Sequence, residues 1–238
     1  MYPLPEMGVV KEGRFDPHPD GVSPATSGGG TVRIDRWVRG GFTEGVSVAN
    51  ELQLQGVRVA FVVANEGIEE IELLRPWRAV VDAGGTADVV APRPGMVETM
   101  RHLDRADRFP VDTVTERANA ADYDAAVLPG GVANSDALRT DAAAVDFLMA
   151  MFEASKPVAA VCHGPWTLIE GDLVAGRTLT SWPSLQTDLR NAGAYWVDRE
   201  VVVCRVGINT LVTSRRPEDL GAFCRELTAA FTPMGVPA

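Results

Sequence analysis

The chain has 238 residues, enough for one sizeable core, so one domain with an appendage is expected rather than two domains. Its formal net charge of −10 speaks against general binding to nucleic acid or anionic membrane, both of which need a basic face. No apolar run reaches the roughly 18 residues of a membrane span. The start, MYPLPEMGVVKEGRFDP, lacks a basic stretch followed by an apolar one, so a cytoplasmic location is expected.

Residues 1–55 form a Gly/Pro-rich N-terminal extension, with Gly and Pro making up more than a quarter of the first fifty. Such a segment has little to bury. It reads as a loose tail, or as an arm pinned to a neighbouring subunit or over a pocket by Ile34, Trp37, Val38 and Phe42. Residues 56–238 form the folded domain. VRVAFVVA (57–64) is a continuous apolar run rich in β-branched residues, the pattern of a strand buried on both faces. EEIELLRPWRAVVDAG (69–84) reads as a helix closed by Gly84, with Ile71, Leu74, Trp77, Val80 and Val81 at helical spacing and a kink or early first turn at Pro76.

TADVVAP is a second strand, and residues 93–118 read as a hairpin or excursion. DAAVLPGG (124–131) is a third buried strand ending in a glycine pair. Thr140 is expected to cap a helix whose apolar stripe is Val145, Leu148, Met149 and Phe152. PVAAVC is the fourth strand, followed by a helix from about Gly164. LTSW, a helix near 185–192 closed by Gly193, the strands WVDREVVVC and INTLVTS, and a helix over 218–231 complete the chain. Strands alternating with helices predict an α/β fold: a mainly parallel sheet sandwiched by helices.

In such sheets sites form beyond the carboxyl ends of the strands. Three segments end there with unusual residues: Asn65–Glu72, Pro129-Gly130-Gly131 and Cys162-His163-Gly164-Pro165. Neighbouring side chains on a regular strand point to opposite faces. A sharp strand-to-helix elbow breaks that alternation and lifts one residue clear of the sheet. Gly164 would relieve crowding there, and Pro165 suits a first helical turn. The elbow places Cys162 at a helix N-terminus, where the thiol pKa is expected to fall and the thiolate to act as nucleophile. The plainer alternative is a buried, inert Cys162. Cys224 lies on the stripe of the last helix and reads as core, and Cys204 as structural.

Three histidines exist: His18, His102 and His163. An amidotransferase built on such an elbow needs a histidine on a later strand, and none follows His163, so that class is disfavoured. No cluster with metal-ligand spacing and no phosphate-binding Gly-rich loop is evident, so neither metal nor cofactor is expected.

From 57 to 230 these motifs, Ala64–Leu73, Leu128–Gly131, Ala160–Pro165 and Thr180–Gly193, resemble the ThiJ/PfpI family of intracellular cysteine peptidases and protein deglycases. The resemblance implies a flavodoxin-like, class I glutamine amidotransferase-like fold. It makes Cys162 the elbow nucleophile and Glu72 the acid whose carboxyl group touches the sulfur. A protonated Glu72 would donate to a thiolate, whereas an ionised one would repel it, so a raised Glu72 pKa is expected. Backbone amides near Gly130, Gly131 and His163 would form the oxyanion hole. His163 would be the general base, oriented by an acid from a neighbouring subunit of a homo-oligomer. Asp136 is the candidate acid, though a rigid count falls on Ser135; a helix-capping role for Asp136 is the alternative. His102, Trp166 and Trp182 could line the pocket or serve packing.

The activity so implied is a cysteine-dependent hydrolase or lyase acting on carbonyl centres: glyoxalase-like detoxification, protein deglycation or peptidase action. Its partners would be a small carbonyl compound or a glycated or unfolded protein. Two other readings stand beside it. One is a stress-response redox sensor or chaperone, favoured if His163 and Asp136 do not meet; the other is a specialised small-molecule enzyme of the isonitrile hydratase type.

Overall fold

The structure is a computed structural model that describes residues 53–233. The extension expected over residues 1–55, with His18, therefore lies almost wholly outside the described residues. In chain order the elements are β1 (Arg58–Val62), β2 (Glu66–Glu69), α1 (Glu70–Asp82), β3 (Thr86–Ala91), β4 (Met96–Arg101), β5 (Asp104–Pro110) and β6 (Thr113–Val114). There follow β7 (Ala125–Leu128), α2 (Val132–Leu138), α3 (Ala142–Glu153), β8 (Val158–Val161), α4 (Pro165–Glu170) and β9 (Thr178–Leu179). The chain ends in α5 (Gln186–Asn191), β10 (Tyr195–Trp196), β11 (Val201–Cys204), β12 (Leu211–Ser214) and α6 (Leu220–Phe231).

The main sheet has seven strands in the order β11-β12-β8-β7-β1-β3-β6. Every pair is parallel except β11 with β12. Alternate residues of β1 and its continuation feed two cores. Val59, Phe61 and Val63 pack with Leu73 and Trp77 of α1 and Phe223 and Leu227 of α6. Ala60, Val62 and Ala64 pack on the other face with Phe147, Leu148 and Met151 of α3. Burial of both faces is why β1 reads as an unbroken apolar run, and each large side chain so buried is worth about 1.5–3 kcal/mol.

Several expectations are corrected at the level of single elements. The excursion at 93–118 holds the hairpin β4–β5, but β4 also pairs with β2, a short strand where the sequence predicts only the approach to α1. WVDREVVVC is not one strand: β10 pairs with β9, while β11 joins the main sheet. Thr140 does not cap α3. Asp141 does, its Oδ1 accepting from the Ala144 N–H at 2.8 Å, while the Thr140 hydroxyl donates to the Ala137 carbonyl. The buried stripe of α3 is Ala144, Phe147, Leu148, Met151 and Phe152, and Met149 faces out. Cys224 is half-buried against the core, and Cys204 is buried. Pro76 sits inside α1, so the helical bond that its missing N–H forgoes is the one to the Glu72 carbonyl four residues earlier.

Among the described residues no helix is long and apolar enough to cross a membrane.

Candidate active site

The three segments singled out in the sequence follow three adjacent strands, β1, β7 and β8, at their carboxyl ends. β8 stops at Val161, and Cys162 has φ of 58°, the left-handed region that a side chain enters at a cost of about 1–3 kcal/mol. The bend is held from both sides. Cys162 N–H donates to the Ser214 carbonyl at 3.0 Å, its carbonyl accepts from Trp182 N–H at 2.9 Å, and Gly164 N–H returns to the Val161 carbonyl at 2.8 Å. Gly164 is required: a Cβ there would lie 2.5 Å from the Leu128 carbonyl oxygen. Pro165 opens α4 at its first residue.

The elbow turns Cys162 and His163 toward each other. Cys162 Sγ lies 3.3 Å from His163 Nδ1. Both residues are 7% exposed. The backbone N–H groups of Gly131 and His163 lie near enough to the sulfur to favour its thiolate. Gly130 N–H, included among the expected oxyanion donors, is turned elsewhere: it donates to Glu72 Oε2 at 3.0 Å. The amides that face the sulfur are therefore those of Gly131 and His163, and Gly130 positions the acid.

Glu72, fully buried on the third residue of α1, meets the thiol of Cys162 with its carboxyl group. Its Oε1 accepts no hydrogen bond, and the carboxyl group interacts with the Cys162 thiol. Burial raises the Glu72 pKa to about 8, and the charges of Glu69 and Glu218 add to the rise. Glu72 thus carries a proton at neutral pH. Burial pushes the Cys162 thiol up as well, and any ionisation of Glu72 pushes it further; the Gly131 and His163 N–H groups pull it down by less. This corrects the expectation of a resting thiol lowered by its helix N-terminus: α4 is a single short helix, and desolvation outweighs it. Burial alone lowers His163 to about 4, so its imidazole is neutral. The resting pair is thiol and neutral imidazole.

Trp182 stacks on the His163 ring, centroids 5.9 Å apart, and Trp166 lies tilted at 6.4 Å. Both pocket candidates therefore flank the imidazole. His102 does not join them; it sits exposed at the tip of β4–β5, and its backbone N–H donates to Glu69 Oε2 at 3.1 Å. Asp136 is exposed on α2 and makes no hydrogen bond with His163 within the chain, while Ser135 is fully buried. Only Asp136 of the two faces outward, where another copy could meet it.

Two residues of the site escaped sequence reading. Asn134, fully buried, accepts from Ala64 N–H at 2.7 Å and donates to the carbonyls of Pro129 and Gly130 at 3.0 Å each. It ties the end of β1 to the glycine pair. Ser184 Oγ stands 3.5 Å from His163 Nε2. Only its place in the Thr180–Gly193 motif could have pointed to it. Among the described residues no group of three His, Cys, Asp or Glu side chains could hold a metal ion.

A cysteine raised on the elbow of a parallel α/β sheet, with a protonated carboxyl group behind it and a histidine beside it, defines a class of α/β protein with a cysteine elbow. The chain belongs to the DJ-1/PfpI family, whose model matches residues 57–230. It is 38% identical over 165 residues to the putative cysteine protease YraA of Bacillus subtilis, covering 69% of this chain and 93% of that one. It is 36% identical over 170 residues to the deglycase PfpI of Pyrococcus furiosus, covering 71% and 96%. Among solved structures it is similar to a two-domain protein of Anabaena variabilis containing DJ-1/ThiJ/PfpI-like and ferritin-like domains, with 33% identity and a TM-score of 0.67. That match covers 76% of this chain and spans 50% of the two-domain chain. The sandwiched parallel sheet expected from the alternation of elements is the fold of these relatives.

Proposed function

We propose that the chain is a cysteine-dependent hydrolase or lyase acting on carbonyl centres, with aldehydes and early glycation adducts as its substrates. The observation that carries this reading is what converges on Cys162 Sγ: His163 Nδ1 at 3.3 Å, the carboxyl group of Glu72, and the N–H groups of Gly131 and His163. As the sulfur attacks the carbonyl carbon, its proton passes to neutral His163. The carbon–oxygen π pair moves onto oxygen, and the Gly131 and His163 amides stand where they can hold that charge. Protonated Glu72 supports the sulfur with a hydrogen bond and no opposing charge. The relatives named deglycase and putative cysteine protease support the enzyme class.

The sensor reading has one observation in its favour: among the described residues no acid reaches His163. Against it stands the thiol, which is shielded and pushed up, whereas ready oxidation needs an accessible thiolate.

Turnover of methylglyoxal, a glycated peptide and an unstructured protein by the wild type and Cys162→Ser tests the proposal. Loss of at least one activity in the variant, with the carbonyl substrates preferred, is expected. Wild-type turnover of every substrate by Cys162→Ser would remove the nucleophile.

A further inference from the structure

We infer that Ser184 is a positioning residue of this site: its hydroxyl receives the Nε2–H of His163 and so leaves Nδ1 bare toward the Cys162 thiol. This rests on the reading of Cys162 as nucleophile and His163 as base. It assigns to the chain itself a task that the family resemblance gives to an acid from a second subunit.

A neutral imidazole carries one proton, and the partner of one nitrogen decides which nitrogen is left basic. Nδ1 faces Cys162 Sγ at 3.3 Å. To accept the thiol proton it must be unprotonated, so the ring proton belongs on Nε2. The side chain facing Nε2 is Ser184, at 3.5 Å. That is the outer edge of hydrogen-bond reach, and catalytic contacts commonly tighten once substrate is bound. A hydroxyl can accept as well as donate, and Ser184 Oγ has no other hydrogen-bond partner among the described residues.

The placement is built by the same backbone that makes the elbow. Ser184 lies in the 3-10 turn Pro183–Leu185. That turn is anchored where Trp182 N–H meets the Cys162 carbonyl at 2.9 Å and Leu185 N–H meets the Trp182 carbonyl at 3.1 Å. Trp182, stacked on the ring with an interplanar angle of 26°, and Trp166 on α4 restrict rotation of the imidazole. The charges around the ring do not compete for it. Arg139, at the end of α2, lies over Trp166 at 4.5 Å and is paired with Glu170 of α4. Glu72 meets the sulfur rather than the ring, and neither a carboxylate nor a cation contributes to the depressed pKa of His163.

The test reads the tautomer directly. Long-range 1H–15N spectra of histidine-labelled full-length protein show which ring nitrogen holds the proton, and the chain has only three histidines to assign. The wild type is expected to carry it on Nε2. In Ser184→Ala the Nδ1–H form should gain population, with kcat for methylglyoxal down about five- to tenfold, the worth of one neutral hydrogen bond, and KM little changed. Ser184→Thr, which keeps the hydroxyl, should restore both tautomer and kcat. A Ser184→Ala protein with the wild-type tautomer and kcat overturns the assignment. So does loss of the Nε2–H form in Asp136→Ala but not in Ser184→Ala. The tautomer is read without turnover, so a failure of the nucleophile assignment in Cys162→Ser leaves the Ser184 result standing on its own.

Discussion

Glu72 and Gly130 are locked in mutual contact: the Gly130 N–H donates to Glu72 Oε2 at 3.0 Å, and a Cβ on Gly130 would stand 2.3 Å from that same oxygen. The same Cβ would lie 2.6 Å from the Cys162 Cβ. The glycine is thus the spacer that lets the Glu72 carboxyl group and Cys162 close on one point.

Gly130→Ala should therefore displace Glu72 and Cys162 together. Overpacking of this kind costs about 1–3 kcal/mol, and a misplacement of the reacting groups by about 1 Å costs on the order of a hundredfold in rate. Urea unfolding and kcat/KM on the substrate found for the wild type measure the two effects. An alanine variant with unaltered rate would mean that Glu72 does not need this seat.

Two limbs should bound the pH profile of kcat/KM. His163 must be neutral, which sets the acid limb near its value of about 4. Glu72 must be protonated, which sets the alkaline limb near its value of about 8. In Glu72→Gln the alkaline limb should disappear, because an amide keeps a donor and has no proton to lose. An alkaline limb that persists unchanged in Glu72→Gln would show instead that the limb belongs to another group and that Glu72 need not be protonated.

Stability should carry the same signature. The folded value of Glu72 lies above the ordinary 4.5, so between 4.5 and about 8 the folded chain holds a proton that the unfolded chain has released. That contribution is complete below 4.5 and is lost as the pH rises toward 8. His163 works in the opposite direction: its folded value is lowered from 6.5, so its contribution is present above 6.5 and is lost as the pH falls toward 4. Comparing urea midpoints at pH 5 and pH 8, Glu72→Gln should gain on the wild type with rising pH by a few kcal/mol, since each tenfold difference in proton affinity between the folded and unfolded chain is worth about 1.4 kcal/mol. A gap independent of pH would contradict the raised value.

Asn134→Ala should destabilise the chain by about 2–4 kcal/mol, since it strands the Ala64 N–H and deprives the Pro129 and Gly130 carbonyls of a donor in a buried place. Activity should fall with it, because the glycine pair loses its tie to β1. Equilibrium unfolding measures the first effect and kcat/KM at low temperature the second.

The cap of α3 offers a contrast between neighbours. Asp141→Ala should cost about 1 kcal/mol and Thr140→Ala less, because only the Asp141 side chain reaches a free N–H of the first turn. Thermal midpoints of the two variants decide it, and the reverse order would restore Thr140 as the cap.

Where sequence reading succeeded, one local pattern carried one local cause. Val57–Ala64 announced a strand buried on both faces because alternate residues feed two cores. Cys162-His163-Gly164-Pro165 announced the elbow because a tight turn needs a residue without Cβ, followed by one that suits a helix start. It failed where the partner lies far along the chain. β2 was missed because its pairing partner β4 is set by tertiary approach and its own residues carry no alternating pattern. Asn134 was missed because a buried asparagine with every hydrogen bond made looks, in sequence, like one on a helix surface.

From residue order alone came the alternation of strand and helix and the elbow at Cys162-His163-Gly164-Pro165, because periodicity and backbone chemistry are written locally; Glu72 was picked out only by the family resemblance. Tertiary packing decided the charge states. The thiol was expected to be lowered by its helix end, yet desolvation by surroundings drawn from distant strands raises both it and Glu72 and leaves His163 neutral. Burial is a property of everything that packs around a group, and no short stretch of sequence encodes it.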